Sequence, residues 1–244
     1  MSNKHFSHLA TAFFAVIAIG VATTHATIIT LEPNNSSQSV NLADLVSGQV
    51  MGVQVGDKTF TEFFYANLPG DDMPAAEEIN IFGFQDENDN FGISIHGTFV
   101  DFPDAADTPS DALLRFTVEV SPEAAERGYR ISDAHLFVGG IGLGDDSFFS
   151  VDESFQQNNQ TMSAFATTLN GPREQKLSDW VFFDQLYERL RVTKDIFAFA
   201  GDTNQVARTT VIDQSFSQEI IPEPATLGLF MIGLLSIAAS KRQD

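Results

Sequence analysis

The sequence predicts an all-β body folded as an antiparallel β-sandwich of jelly-roll type, and three observations carry that expectation. Short stretches of alternating apolar and polar residues recur through the middle of the chain. Clusters such as Pro69-Gly70-Asp71-Asp72 and Asp104 to Pro109 punctuate them with turn residues. Nowhere does a strand pattern alternate with a helical one in the way a doubly wound parallel sheet requires.

Taken in order, Val50, Val53 and Val55 lead through Gly56-Asp57-Lys58 into Thr59 to Tyr65, two β-rich runs about a Gly-Asp turn and hence a hairpin. Ile79 to Phe84 is a short apolar strand. Phe91, Ile93, Ile95, Gly97 and Phe99 alternate with Gly92, Ser94, His96, Thr98 and Val100, which predicts a half-buried strand. Leu114, Phe116, Val118 and Val120 alternate with Arg115, Thr117 and Glu119 in the same way. Ile131 to Val138, Phe148 to Val151, Met162 to Leu169, Val192 to Phe199 and Val206 to Phe216 bring the set to about nine to eleven strands. One stretch reads two ways. Ser178-Asp179 before Trp180, Phe183, Leu186/Tyr187 and Leu190 is helical spacing behind an N-cap, whereas Trp180-Val181-Phe182-Phe183 has strand propensity. Glu32 to Ser39 and Gln214 to Ile221 have linker composition.

Composition limits the function. Of 244 residues, 13 are Lys or Arg and 33 are Asp or Glu, a net charge of −20. That balance argues against nucleic acid and against docking onto anionic lipid headgroups, both of which need basic side chains. It favours solubility and loose association with divalent cations. The absence of cysteine excludes disulfides, thiol catalysis and Cys-ligated metals. An exported domain without disulfides must rely on its core, and 23 Phe residues supply the apolar mass.

Candidate chemistry is sparse. Within the body, His96 and His135 face away from the main apolar set and are not spaced as a zinc or facial-triad pair. No Gly-x-Ser-x-Gly elbow is present. Gly139 to Gly144 lacks the spacing and the following Lys of a phosphate loop, and reads as an inter-strand loop. Asp86, Asn88 and Asn90 alternate like the opening of a calcium loop, yet Gly92 falls one place late and Gly97 stands where the closing Glu belongs. The alternative there is a solvated Asx turn. Asp145, Asp146, Asp152 and Glu153 form a second acidic cluster. No cofactor is expected apart from calcium at these positions.

Both ends read as addresses. Leu9 to Ala22 is an apolar run of signal-peptide length behind Lys4, and Thr24-His25-Ala26 offers small residues to a signal peptidase. Cleavage between Ala26 and Thr27 is expected, with an uncleaved anchor as the alternative. At the other end, Pro222-Glu223-Pro224 opens an apolar run from Ala225 to Ser240, followed by Lys241-Arg242. That run makes about 24 Å of helix, enough to engage a membrane, with the basic pair on the cytoplasmic side. The prolines disfavour helix at the Pro-Glu-Pro step and hold it extended. The predicted organisation is therefore 1–26 signal peptide, 27–221 β-sandwich body and 222–244 tail, with a transmembrane helix at 225–240.

This tail resembles the PEP-CTERM sorting domain of exported bacterial proteins, departing from it only in the Gln243-Asp244 that follows the basic pair. The resemblance implies that an exosortase reads Pro222, Glu223 and Pro224 and cuts nearby, releasing the body to the envelope surface or extracellular matrix after transient membrane anchoring. A permanent anchor is the alternative. The body's Gly56-Asp57-Lys58-Thr59-Phe60, Val192 to Ile196 and Phe216-Ser217-Gln218 are similar to β-rich bodies that accompany this tail. Three functions are compatible with these readings. The first is a non-enzymatic, exopolysaccharide-associated surface or matrix protein. The second is a carbohydrate-binding module, calcium-assisted or not, stacking sugar on Tyr65, Tyr129, Trp180 or Tyr187; the third is a secreted hydrolase. Deleting 222–244 should leave a soluble body that no longer reaches the cell surface in fractionation; unchanged localisation would contradict the sorting role.

Overall fold

The computed structural model describes residues 27–103, 108–201 and 205–221. The expected signal peptide, the Ala26 side of its cut and the whole 222–244 tail, with Lys241 and Arg242, lie outside the described residues. From Thr27 onward, β1 (Thr27–Thr30) and β2 (Ser39–Asn41) lead into the short helix α1 (Leu42–Val46). The hairpin of β3 (Val50–Val55) and β4 (Lys58–Asn67) follows, then β5 (Asn80–Gln85), β6 (Phe91–Asp101) and β7 (Ser110–Val120). Past helix α2 (Pro122–Glu126) come β8 (Tyr129–Gly139), β9 (Gly142–Leu143), β10 (Ser147–Phe155) and β11 (Thr161–Thr167). Then follow β12 (Glu174–Lys176), β13 (Ser178–Tyr187), β14 (Arg189–Ala200), β15 (Ala207–Phe216) and β16 (Gln218–Ile220). Among the described residues no helix is long and apolar enough to cross a membrane.

Two sheets form the sandwich. Sheet A runs β1-β3-β4-β7-β14-β10-β11-β12; sheet B runs β13-β8-β15-β6-β5-β2, with β16 on β8 and β9 on β15. Its neighbours pair antiparallel except at the edge of sheet A, where β1 lies parallel to β3. The expected hairpin closes on a two-residue turn, with Val55 opposite Lys58 and Gly56 at φ +55. Glycine first in a two-residue loop matches the right-handed twist of the flanking strands.

Two expectations are corrected or settled here. Ser178 to Tyr187 is a strand rather than a helix: Trp180 and Phe182 face solvent, Val181 and Phe183 face inward, and β8 pairs with it over residues 178–182 and again at Tyr187. The β propensity of Trp-Val-Phe-Phe at period two prevails over the helical spacing. Gln214 to Ile221 is no linker, because Gln214 to Phe216 complete β15 and Gln218–Ile220 pair with β8. Their Gln/Ser composition reads as a linker, yet Gln214 is fully buried.

The core fills the space between the sheets. Phe60 and Phe116 of sheet A meet Phe216 of sheet B, with ring centroids 6.0 Å apart for Phe60–Phe116 and 6.2 Å for Phe60–Phe216. Phe63 stacks on Phe116 at 5.7 Å. The two short helices cap the sandwich with local support: Asn41 Oδ1 accepts from the Ala43 N–H and Ser121 Oγ from the Ala124 N–H. Phe116 is wholly buried, so Phe116→Ala should lower unfolding free energy by about 3–5 kcal/mol in urea titration, the loss of transfer energy plus an unfilled cavity.

Candidate functional site

Strand period two sends one residue in each pair of sheet B to the outer face. Reading the register across the sheet gives that face. Trp180 of β13 lies opposite His135 of β8, which lies opposite Ser215 of β15, which lies opposite Gly92 of β6, which lies opposite Phe84 of β5. The next rung carries Ser178, Phe137, Asp213, Ser94 and Phe82. A third rung adds Val211 and His96. Aromatic rings thus stand at both flanks, and a strip of hydrogen-bonding groups runs between them. Trp180 is 61% exposed and Phe137 46%, large apolar surfaces that a water-facing strand does not need for folding.

The face is a groove built from two depressions that share Phe84 and Asp213. One, of about 280 Å³, is lined by Phe82, Phe84, Ser94, His96 and Asp213, with Asn34 to Ser36 as a wall. The other, of about 470 Å³, is lined by Phe84, Asp86, His135, Phe137, Trp180 and Ser215. The wall is fastened to β5. Asn34 Nδ2 donates to the Gln85 carbonyl at 3.0 Å, Asn34 Oδ1 accepts from the Gln85 N–H at 3.2 Å, and the Asn34 N–H reaches the Gly83 carbonyl. A Cβ on Gly83 would stand 2.7 Å from the Glu32 carbonyl oxygen, so this close approach requires glycine.

The polar strip is internally ordered. His96 Nε2 and Ser94 Oγ are hydrogen-bonded at 2.8 Å, and Ser94 Oγ donates to Asp213 Oδ1. Phe82 packs on the His96 ring with centroids 4.5 Å apart. Burial pushes the Asp213 carboxyl above its usual range. On the neighbouring rung, His135 Nε2 donates to Asp133 Oδ1 at 3.0 Å. That contact holds His135 above its ordinary pKa against the effect of burial. Burial opposes ionisation of Asp133, but the hydrogen bonds from His135 and Ser217 outweigh it and keep the carboxyl low.

The residues singled out in the sequence are distributed as follows. Asp86 Oδ1 accepts from the Asn88 and Asn90 N–H groups at 2.9 and 3.0 Å, and its Oδ2 accepts from Asn90 Nδ2 at 3.0 Å and Ser215 Oγ at 2.7 Å. The turn and the groove floor thus occupy both carboxylate oxygens, and calcium on Asp86, Asn88 and Asn90 would have to displace those donors. Of the aromatic candidates only Trp180 reaches the groove. Tyr65 donates its hydroxyl to the Pro74 carbonyl at 2.7 Å, Arg127 covers Tyr129 at 5.2 Å, and Tyr187 belongs to the core. Phe82, Phe84 and Phe137 were legible only as strand residues; alternation alone does not say which face of a sheet is left uncovered.

The outer face of sheet A offers a different feature. Asp152 and Asp195 are direct cross-strand partners beside a depression of about 400 Å³. Burial, a hydrogen bond with Asp111 and repulsion from Asp111 and Asp152 push Asp195 up to about 6.

Comparison with known proteins bears on the tail first. Residues 221–243 match the PEP-CTERM protein-sorting motif. The chain is therefore a PEP-CTERM-sorted exported protein, and the motif implies exosortase processing. No curated protein matches the chain. Among solved structures, the chain is similar to TmCBM61, determined in complex with β-1,4-galactotriose, at 8% identity and TM-score 0.31, covering 64% of this chain and 88% of that one. It is also similar to TmCBM27, a carbohydrate-binding module studied for mannan recognition, at 7% identity and TM-score 0.23, covering 74% of this chain and 96% of that one.

The Asp195 pKa gives a signed prediction. Its folded value lies above the ordinary 3.8, so the folded chain binds more protons between about pH 4 and pH 6 and stability falls as pH rises through that window. Asp195→Asn should remove that fall and raise the melting temperature near neutral pH in calorimetric melts; an unchanged pH profile would contradict the crowding.

Proposed function

We propose that the exported body is a non-enzymatic polysaccharide-binding protein of the cell surface or extracellular matrix, and that the outer face of sheet B is its binding face. The carrying observation is the groove itself. The exposed rings of Phe137 and Trp180 and the half-buried ring of Phe84 flank a pre-ordered strip of Ser94, His96, Asp213 and His135. Sugar rings present apolar faces that stack on aromatic side chains and hydroxyl edges that hydrogen-bond, so one groove serves both. An open groove along a sheet admits the interior of a long chain as well as its end. The ordering of Ser94, His96 and Asp213 by one another limits what the strip loses in conformational entropy when it binds.

Charge narrows the ligand. Asp86, Glu87 and Asp213 line the groove, and the chain carries −20 overall. Uncharged polysaccharide fits this field; polyanionic chains are repelled. A sorting tail that sends the body to the surface places such a face where extracellular polysaccharide is encountered, and it needs neither metal nor cofactor.

Trp180 is the single tryptophan of the chain, so its fluorescence reports on the groove directly. Titration with neutral glucan, galactan or mannan should shift that emission, and Trp180→Ala should weaken binding by roughly tenfold, ~1.4 kcal/mol. Alginate, a polyanion, should bind more weakly. A panel of neutral polysaccharides without a single binder in affinity electrophoresis would overturn the reading.

A further inference from the structure

Three side chains in the interior are out of keeping with an apolar core. Lys194 of β14 and Glu153 of β10 are direct cross-strand partners, both with fully buried side chains. Gln214 of β15 reaches them from the opposite sheet and is also fully buried. The neighbours in register are apolar: Leu114 beside Lys194, Met162 beside Glu153, Ile93 and Leu136 on either side of Gln214. Lys194 Nζ donates to Glu153 Oε2 and, at 2.5 Å, to Gln214 Oε1. Glu153 Oε1 and Gln214 Nε2 have no hydrogen-bond partner, two of only four such buried side-chain atoms among the described residues. A buried amide N–H₂ without an acceptor is a costly thing for a fold to retain.

We propose that Lys194 and Gln214 become joined by an intramolecular isopeptide bond, with Glu153 carrying the proton. The amine already touches the amide oxygen. One C=O bond length of about 1.23 Å keeps Nζ within about 3.7 Å of the carbonyl carbon, close to the ~3–3.5 Å of a near-attack conformer. Burial lowers the pKa of Lys194 and raises that of Glu153, so both are driven toward their neutral forms. In those neutral forms the amine carries a free lone pair and the acid beside it holds a proton.

The step balances without any co-reactant. Lys194 Nζ attacks Cδ of Gln214 and a C–N bond forms as the carbonyl π pair moves onto Oε1. The proton lost by Nζ passes to Glu153, and Glu153 delivers a proton to Nε2. The carbonyl re-forms, the Cδ–Nε2 bond breaks and Nε2 departs as ammonia. One amide replaces another and nothing is oxidised or reduced. The atom expelled is one that the fold leaves unsatisfied. The product ties sheet A to sheet B covalently in a chain that has no cysteine.

A second trio of amine, carboxylate and amide shows what distinguishes this one. Lys58 Nζ lies 2.7 Å from Asp57 Oδ1 and 2.8 Å from Gln218 Oε1. There, however, Gln218 Nε2 donates back to Asp57 Oδ2, so the amide is fully partnered. Asp57 also keeps some contact with solvent, its side chain being 17% exposed. That trio remains a hydrogen-bonded clasp.

The test is tryptic mapping of the purified full chain by mass spectrometry. Trypsin should fail to cut after Lys194, and the peptide Val192–Arg208 should appear joined to the peptide that begins at Thr209, with a mass lower than their sum by one ammonia. Separate linear peptides of full mass would overturn the proposal, as would a link at Lys58 and Gln218 instead. Glu153→Gln should yield the linear peptides while the β-sheet circular dichroism persists; a link that still forms in that variant would remove Glu153 from the step. Should Glu153→Gln not fold, the wild-type map alone decides.

Discussion

Strand β15 runs through the middle of sheet B, and its side-chain period of two governs both sides of the molecule. Ile212, Gln214 and Phe216 point into the sandwich, so Val211, Asp213 and Ser215 must point out. A slip of one residue would expose Phe216 and bury Asp213, and every rung of the outer face would be lost with it. Phe216 sets that register through its contact with Phe60. The apolar seam between the sheets therefore positions the polar strip on the far side.

The same alternation explains how much of the molecule is legible in its residues. Leu114, Phe116, Val118 and Val120, or Ile93 and Ile95, announce their strands because every second residue is apolar and ends up buried. The strands β2, β9, β12 and β16 have two or three residues each and show no period at all. Pairing with a longer neighbour, rather than local sequence, makes them strands. The groove is harder to foresee, since Phe84, Ser94, His135, Trp180 and Asp213 come from five strands that only the sheet order brings together. A signal for the buried trio does exist. Lys194 interrupts the inward series Val192, Ile196 and Ala198, and Glu153 interrupts Phe149, Val151 and Phe155. A charge at a position that alternation assigns to the core marks either a wrong register or a special site.

Export gives these features a common setting. A domain outside the cell without cysteine has no disulfide to hold its sheets together, and buried ion pairs are poor substitutes because desolvation offsets most of the attraction. Apolar packing between the sheets supplies the cohesion, and within it Phe155, Phe183 and Tyr187 form an edge-to-face cluster, with centroids 5.0 and 5.6 Å apart. The aromatic rings left exposed on sheet B form a surface that the core does not use. The division is spatial: the tail carries the sorting motif, the inner faces hold the sandwich together, and aromatic rings stand exposed on one outer face.

That outer face is the claim on which the functional account stands, and a nuclear magnetic resonance titration of the isotopically labelled protein with neutral oligosaccharides tests it most directly. The account predicts shift changes concentrated at the Trp180 indole, Phe84, Ser94, His96 and Phe137, with sheet A unmoved. Changes confined to sheet A, or none with any neutral oligosaccharide, would contradict it.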